Sequence, residues 1–276
     1  MKGPTILART MSVGTSRGAS ERAWQYHSRS DTHSKVACWG LLFDLLEQCD
    51  IFRRHAVEGR VGFGINHVMV GPINKTLDLV VTRVPLDRRS TRRVQFAELA
   101  QRYGIVLDAE ERTALRDLPI LESDVAREDV SEVVIALEAK ACMTEHSKSL
   151  PRLHAEILAT GYLAKRSQPR CITVSYSMVN AADSFVTPSG SGKVNRHSQP
   201  EDARKVIEML SRAIPLARDV PAIGYEVIGA TVVNCRNDGS PVTLVNGEPA
   251  PDRNSHINYE RMVVSLCSEY RARFGT

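Results

Sequence analysis

The stretch from Glu132 to Met143, EVVIALEAKACM, constrains the fold more than any other part of the chain. Its first half is an unbroken apolar run, Val133 to Leu137, of the kind found in strands buried on both faces of a sheet. The run then carries Glu138 and Lys140, two residues apart. Side chains alternate across a strand, so both project from one face and reach a common point. A charged pair at the end of a buried strand costs free energy unless it is paired, metal-bound or near water. About sixty residues earlier, KTLDLVVTRV sets Asp78 beside a second apolar strand. Asp on one strand and Glu-x-Lys on its neighbour would make a site for a hard divalent cation with an ammonium beside it.

Going through the chain in order fills in the frame. DTHSKVACWGLLFDLLEQC (31–49) has Val36, Trp39, Leu42, Phe43 and Leu46 at helical spacing, with Asp31 or Thr32 as its cap. Asp44 and Glu47 on this helix read as solvated acids, with Glu47 a possible additional acid for the metal. RVGFGINHVMVG (60–71) and residues 77–84 form a predicted hairpin around GPINKT. Gly62, Gly64 and Gly71 make no dinucleotide fingerprint, because no helix follows them. Residues 85–130 are an insertion. It opens with Arg88, Arg89, Arg92 and Arg93 and continues into two helical segments divided by Gly104, the second capped by Asp108. The arginines suit bidentate contacts to phosphates.

After the Glu-x-Lys strand, residues 147–161 read as a helix with Pro151 in its first turn. His146, Lys148 and Arg152 would face the same ligand. A strand at 171–181 follows. Gly190-Ser-Gly-Lys193 resembles a phosphate loop, but Thr187 and Val194 break the required pattern, and a loop is expected. The remainder reads as a helix (201–214), strands at 225–235 and 241–246, and a terminal helix (257–273). One domain, 31–276, preceded by a basic arm, 1–30, is the expected organisation.

Composition adds only limits. The net charge is +4, and residues 1–35 supply all of it, with six Lys/Arg against two acids. The six cysteines are dispersed with no zinc-ligand spacing, which predicts reduced, buried thiols and a cytoplasmic, nucleoid-associated protein. The N-terminus lacks the apolar segment of a secretory signal, and no run is long enough to span a membrane.

Two carboxylates with the carbonyl of Ala139 are oxygen ligands of the kind Mg²⁺ or Mn²⁺ prefers, leaving positions for water and a phosphate oxygen. Lys140 would orient that water or offset charge in the transition state. No Ser or Cys stands beside a His as a nucleophile pair would require. At Asp78, Glu138 and Lys140 the chain resembles the PD-(D/E)xK nuclease superfamily, with restriction-endonuclease-like architecture. The similarity covers roughly residues 31–181: a leading helix, the hairpin carrying Asp78, the Glu138-Ala139-Lys140 strand, a helix and a further strand. Leu77 stands where the family's name-giving Pro would be, and the gap between Asp78 and Glu138 requires the insertion. The resemblance implies an α/β fold, a mixed sheet flanked by helices with the insertion between its second and third core strands. It further implies Mg²⁺-dependent cleavage of double-stranded DNA, a homodimer, and a role in restriction or another anti-phage defence. Two alternatives stand beside it: a non-catalytic nucleic-acid-binding scaffold on the same fold, and a nuclease for RNA or branched DNA.

Overall fold

A computed structural model describes residues 1–14, 16–17, 23–69, 74–83, 93–119, 122–124, 132–188, 192–219 and 225–275. The apolar run identified above is a strand, β7 (Glu132–Cys142), in the middle of a mixed eight-stranded sheet. On one side of it the chain forms an antiparallel meander: β3 (Val61–Met69) pairs with β4 (Lys75–Arg83), and β4 pairs with β7. On the other side β8 (Ile172–Asn180) and β11 (Val227–Asn234) run parallel to β7. Short strands close both edges. These are β12 (Thr243–Leu244) beside β11, and β6 (Glu122–Asp124) with β5 (Arg93–Gln95) beyond β3. Two small hairpins complete the strands, β1 (Ser16–Arg17) with β2 (Ala23–Trp24), and β9 (Ser184–Val186) with β10 (Val194–Arg196).

Helices cover both faces, as a sheet containing parallel strands requires. One layer holds α1 (Gly3–Ser12), α2 (Thr32–Gln48), α3 (Asp50–Val57), α4 (Phe96–Arg102) and α8 (Tyr259–Phe274). The other holds α6 (His146–Ser167) and α7 (Glu201–Asp219), the crossover helices of β7–β8 and β8–β11. β8 divides its residues between the layers: Ile172, Val174, Tyr176 and Met178 face the first, while Ser175 and Ser177 face the second beside Glu138 and Lys140. The expected α/β architecture, with a mixed sheet flanked by helices, is therefore present.

The insertion is integral to this fold. Its two helices, α4 and α5 (Ala109–Asp117), lie where helical spacing put them, and a reciprocal capping box between Asp108 and Glu111 starts the second. Phe96 stacks on Trp39 at 4.8 Å and so ties the insertion to α2. Arg88, Arg89 and Arg92 lie outside the described residues, and Arg93 is placed only by its backbone in β5.

Three expectations are corrected. Residues 1–12 are no basic arm: Ile6, Leu7 and Met11 fall on one face of α1 and are buried in the core. The cations of α1 point to acids instead, Lys2 to Glu47 and Glu110, Arg9 to Asp108 and Glu111. Asp44 is fully buried rather than solvated; it accepts the backbone N–H groups of Lys2 (2.7 Å) and Gly3 (2.8 Å) and the Tyr259 hydroxyl (2.8 Å). It thus satisfies donors at the start of α1 that the helix itself leaves open. The cysteines are not all reduced. Cys49 and Cys267 form a disulfide between the end of α2 and α8, while Cys38, Cys142, Cys171 and Cys235 are buried free thiols. Among the described residues no helix is long and apolar enough to cross a membrane.

Candidate active site

The ladder breaks at Asp78. β3 and β4 pair at Ile65↔Leu79 and at His67↔Leu77, but between them Asn66 adopts a left-handed conformation (φ 53°). Asn tolerates that conformation better than most residues. The side-chain alternation slips there. Leu77 packs in the cluster under α6 and Leu79 in the cluster under α2, although two such residues in a regular strand share a face. Asp78 lies at this irregular point, next to the place where β4 begins to pair with β7 at Leu79↔Leu137. Its carboxylate accepts the backbone N–H of Ala139 at 2.8 Å. Burial, and then the Glu138 carboxylate, push the Asp78 carboxyl above the usual range, against the opposing effects of the Ala139 amide, Ser34 and Lys140.

Glu138 is 5% exposed. Its Oε1 accepts Lys140 Nζ at 2.6 Å and Lys75 Nζ at 3.2 Å, while Oε2 is buried without a partner. Lys140 also reaches Glu156 of α6 at 2.9 Å, and Glu156 accepts Arg152 Nε at 2.7 Å. Burial alone would lower the Lys140 pKa, but Glu138 and Glu156 outweigh it and hold it above normal. Glu156 shifts the other way, with hydrogen bonds from Arg152 and Lys140 overcoming its burial.

These side chains open on a cleft of about 580 Å³ that Asp78, Glu138 and Lys140 all line. Its walls come from the first turn of α2 (His33, Ser34), the segment before it (Tyr26, Arg29) and α6 (Arg152, Glu156). The His33 ring has a buried Nδ1 with no partner. Burial pushes its pKa down to about 4, opposed by Asp31 and reinforced by Lys140.

The other expected site residues divide. Arg152 stands at the cleft rim, largely exposed. Ala139 contributes its amide to Asp78. Glu47 is not at the cleft: it lies in the last turn of α2, paired with Lys2 at 3.2 Å, whereas the first turn of that helix lines the site. The helix is 17 residues long, so the two ends are about 25 Å apart. Lys148 is exposed and pairs with Glu145. His146 is buried, its Nε2 bonded to the Asn180 carbonyl at 2.7 Å, and it lines a different cleft from Asp78, Glu138 and Lys140.

Sequence reasoning missed Lys75, Ser34, His33 and Arg29, and left Glu156 without a role. Lys75 had a signal, as it opens the strand that carries Asp78. Glu156 had a weaker one, four residues beyond Arg152 on a helix. His33, Ser34 and Arg29 had none, because their approach depends on how α2 docks. Compared with known proteins, the chain matches no family model, no curated protein and no solved structure.

Proposed function

We propose that this protein is a Mg²⁺-dependent endonuclease of the PD-(D/E)xK type, hydrolysing phosphodiester bonds of duplex DNA. The observation that carries the reading is the meeting of Asp78, Glu138 and Lys140 on one cleft, with Glu138 Oε2 buried and unpartnered. The element order supports it: α2, the β3–β4–β7 meander, α6 and the parallel β8 follow the order that the resemblance implies.

The donor set fits a hard cation that keeps much of its water. Among the described residues no group of three or more His, Cys, Asp or Glu is arranged to hold a metal ion. The two carboxylates, Asp78 and Glu138 with its partnerless Oε2, are then the protein's share, which is how Mg²⁺ is commonly held beside a phosphate. When bound, the ion supplies Lewis acidity toward the phosphoryl group and a lowered pKa for coordinated water. The remaining work falls to the chain. Lys140 stays charged between Glu138 and Glu156 and offsets the negative charge that develops on the phosphate. Arg152 and Arg29 at the rim offer guanidinium groups to flanking phosphates. Buried Ala139 N–H fixes Asp78, so its carboxylate is held in place before the substrate arrives.

A second reading has its own observation. Glu138 already accepts both Lys140 and Lys75, a closed ion cluster that a non-catalytic nucleic-acid-binding scaffold would retain for its fold. Cleavage separates the two. Plasmid and oligonucleotide duplexes, with RNA and branched DNA as parallel substrates, are incubated with Mg²⁺, Mn²⁺ or chelator. The nuclease reading expects cutting with either metal, none with chelator, and loss of at least about 10²-fold in Lys140→Ala and Asp78→Ala. Binding without nicking on every substrate would establish the scaffold. Cutting confined to RNA or branched DNA would move the substrate class.

A further inference from the structure

A second cleft, of about 530 Å³, opens at the other side of the α6 N-terminus. It is lined by His146, Lys148, Lys193, Arg196, His197 and Asp202, with Glu145 at its edge. We propose that this cleft binds a phosphate oxyanion, held by the α6 N-terminus, Lys193 and Arg196, with proton uptake by the His146–His197 pair.

The hydrogen bonds set the state of both rings. His146 Nε2 lies 2.7 Å from the Asn180 carbonyl, and His197 Nδ1 lies 2.9 Å from the Ala182 carbonyl. A carbonyl only accepts, so each of those nitrogens carries the hydrogen. In the neutral rings the other nitrogens, His146 Nδ1 and His197 Nε2, are bare lone pairs. Both are buried without a partner, and His146 as a whole is 2% exposed. The rings meet edge to face at 4.9 Å. Two buried acceptors that meet no donor are a standing cost, which a ligand or a proton removes.

The surroundings favour a proton together with an anion. The α6 helix runs for 22 residues, and its N-cap residue Glu145, in a left-handed conformation, makes no side-chain capping bond. The Lys148 and Ser149 amides bond to the Glu145 carbonyl, which leaves the amides of His146 and Ser147 for a ligand. Lys193 and Arg196 are exposed and have no ion pair among the described residues, while Lys148 is paired with Glu145. The charged and titratable groups facing the histidines are Glu145 and Lys148 from α6, Lys193 and Arg196 from the β10 arm, and Asp202 from α7. Three cations outnumber two acids, and the Asp202 carboxylate is already turned to the Ser198 amide at 2.8 Å. Burial pushes the His146 pKa down; the Asn180 carbonyl and Asp202 oppose this, and the His197 ring adds to it. An arriving oxyanion works against the burial, and a nitrogen that takes up a proton becomes a donor toward it.

The inference does not require cleavage at the first cleft, and its test is kept apart from that chemistry. Full-length protein is titrated with inorganic phosphate at pH 6.5 with chelator present, and the imidazole resonances of His146 and His197 are followed by NMR. Saturable shifts of both rings toward the protonated form are expected. Affinity should be about tenfold weaker in Lys193→Ala/Arg196→Ala, two exposed positions whose loss leaves Tm unchanged. His197→Gln puts a polar side chain that takes up no proton in place of the ring and should leave only the His146 response. A parallel titration with a short DNA duplex identifies the source. Displacement of bound phosphate by the duplex assigns the cleft to a nucleic-acid backbone; binding of free phosphate alone assigns it to a small anion. Unsaturable or absent shifts, equal affinity in the double variant, or a response to Zn²⁺ in a chelator-free titration with none to phosphate would overturn the proposal.

Discussion

At the scale of single residues, Asp78 carries the sharpest consequence. Its carboxyl is pushed up by burial and by Glu138, so ionisation is more costly in the folded protein than in the unfolded chain. Stability from this group is full below the unfolded pKa and is lost as pH rises through the folded one. Asp78→Asn should therefore raise stability at pH 7, with the gain vanishing in acid, and on the proposed nuclease reading it should also remove cleavage. Denaturant titrations at pH 7 and pH 3 check the sign; a variant less stable at pH 7 would contradict the electrostatics described. Burial pushes the Asp44 carboxyl up as well, but three donors converge on it. Asp44→Ala strands them and should cost about 3 kcal/mol, read from the same titration. Sequence spacing revealed Glu138 and Lys140 because a strand's two-residue period is local. The roles of Asp44 and His33 were not legible, since each depends on which element lies across from α2.

At the scale of elements, the close approach of α1 to α2 is made by two glycines. A Cβ at Gly40 would lie 2.9 Å from the Gly3 Cα, a backbone atom that cannot swing aside. Gly40→Ala should accordingly cost about 2–3 kcal/mol by overpacking, although alanine is the better helix former. A thermal melt that left Tm unchanged would show that the helices separate freely. This contact also explains why α1 escaped sequence reading. A ten-residue helix rich in Thr and Ser has weak intrinsic propensity, and it forms by docking its Ile6–Leu7 face on α2. The long elements were legible for the converse reason: β7, α2, α6 and α8 each bury a regular apolar stripe, and the expected bounds of β7, α2 and α8 fall close to the observed ones, while α6 runs six residues past its expected end at 161. The short strands β5, β6, β9 and β10 carry too few residues for any period to show.

At the scale of the whole molecule, the Cys49–Cys267 disulfide closes 218 residues of chain that include every strand of the eight-stranded sheet. Chain-entropy reasoning gives a stabilisation of about 5 kcal/mol for so long a loop. The paired Cys49→Ser/Cys267→Ser variant should unfold at a markedly lower denaturant midpoint than the oxidised protein, and the wild type should match it once reduced. The overall architecture places the two strands bearing Asp78 and Glu138 side by side in the sheet, while α2 and α6 wall the cleft from opposite layers. That arrangement is what a cation held against a phosphate would need. The direct test is a Mn²⁺ titration of the intact protein followed by electron paramagnetic resonance, with Mg²⁺ as competitor. The account predicts one saturable ion per chain, displaced by Mg²⁺ and lost in Asp78→Ala with the fold retained. Absence of saturable binding, or binding that Asp78→Ala leaves untouched, would contradict it.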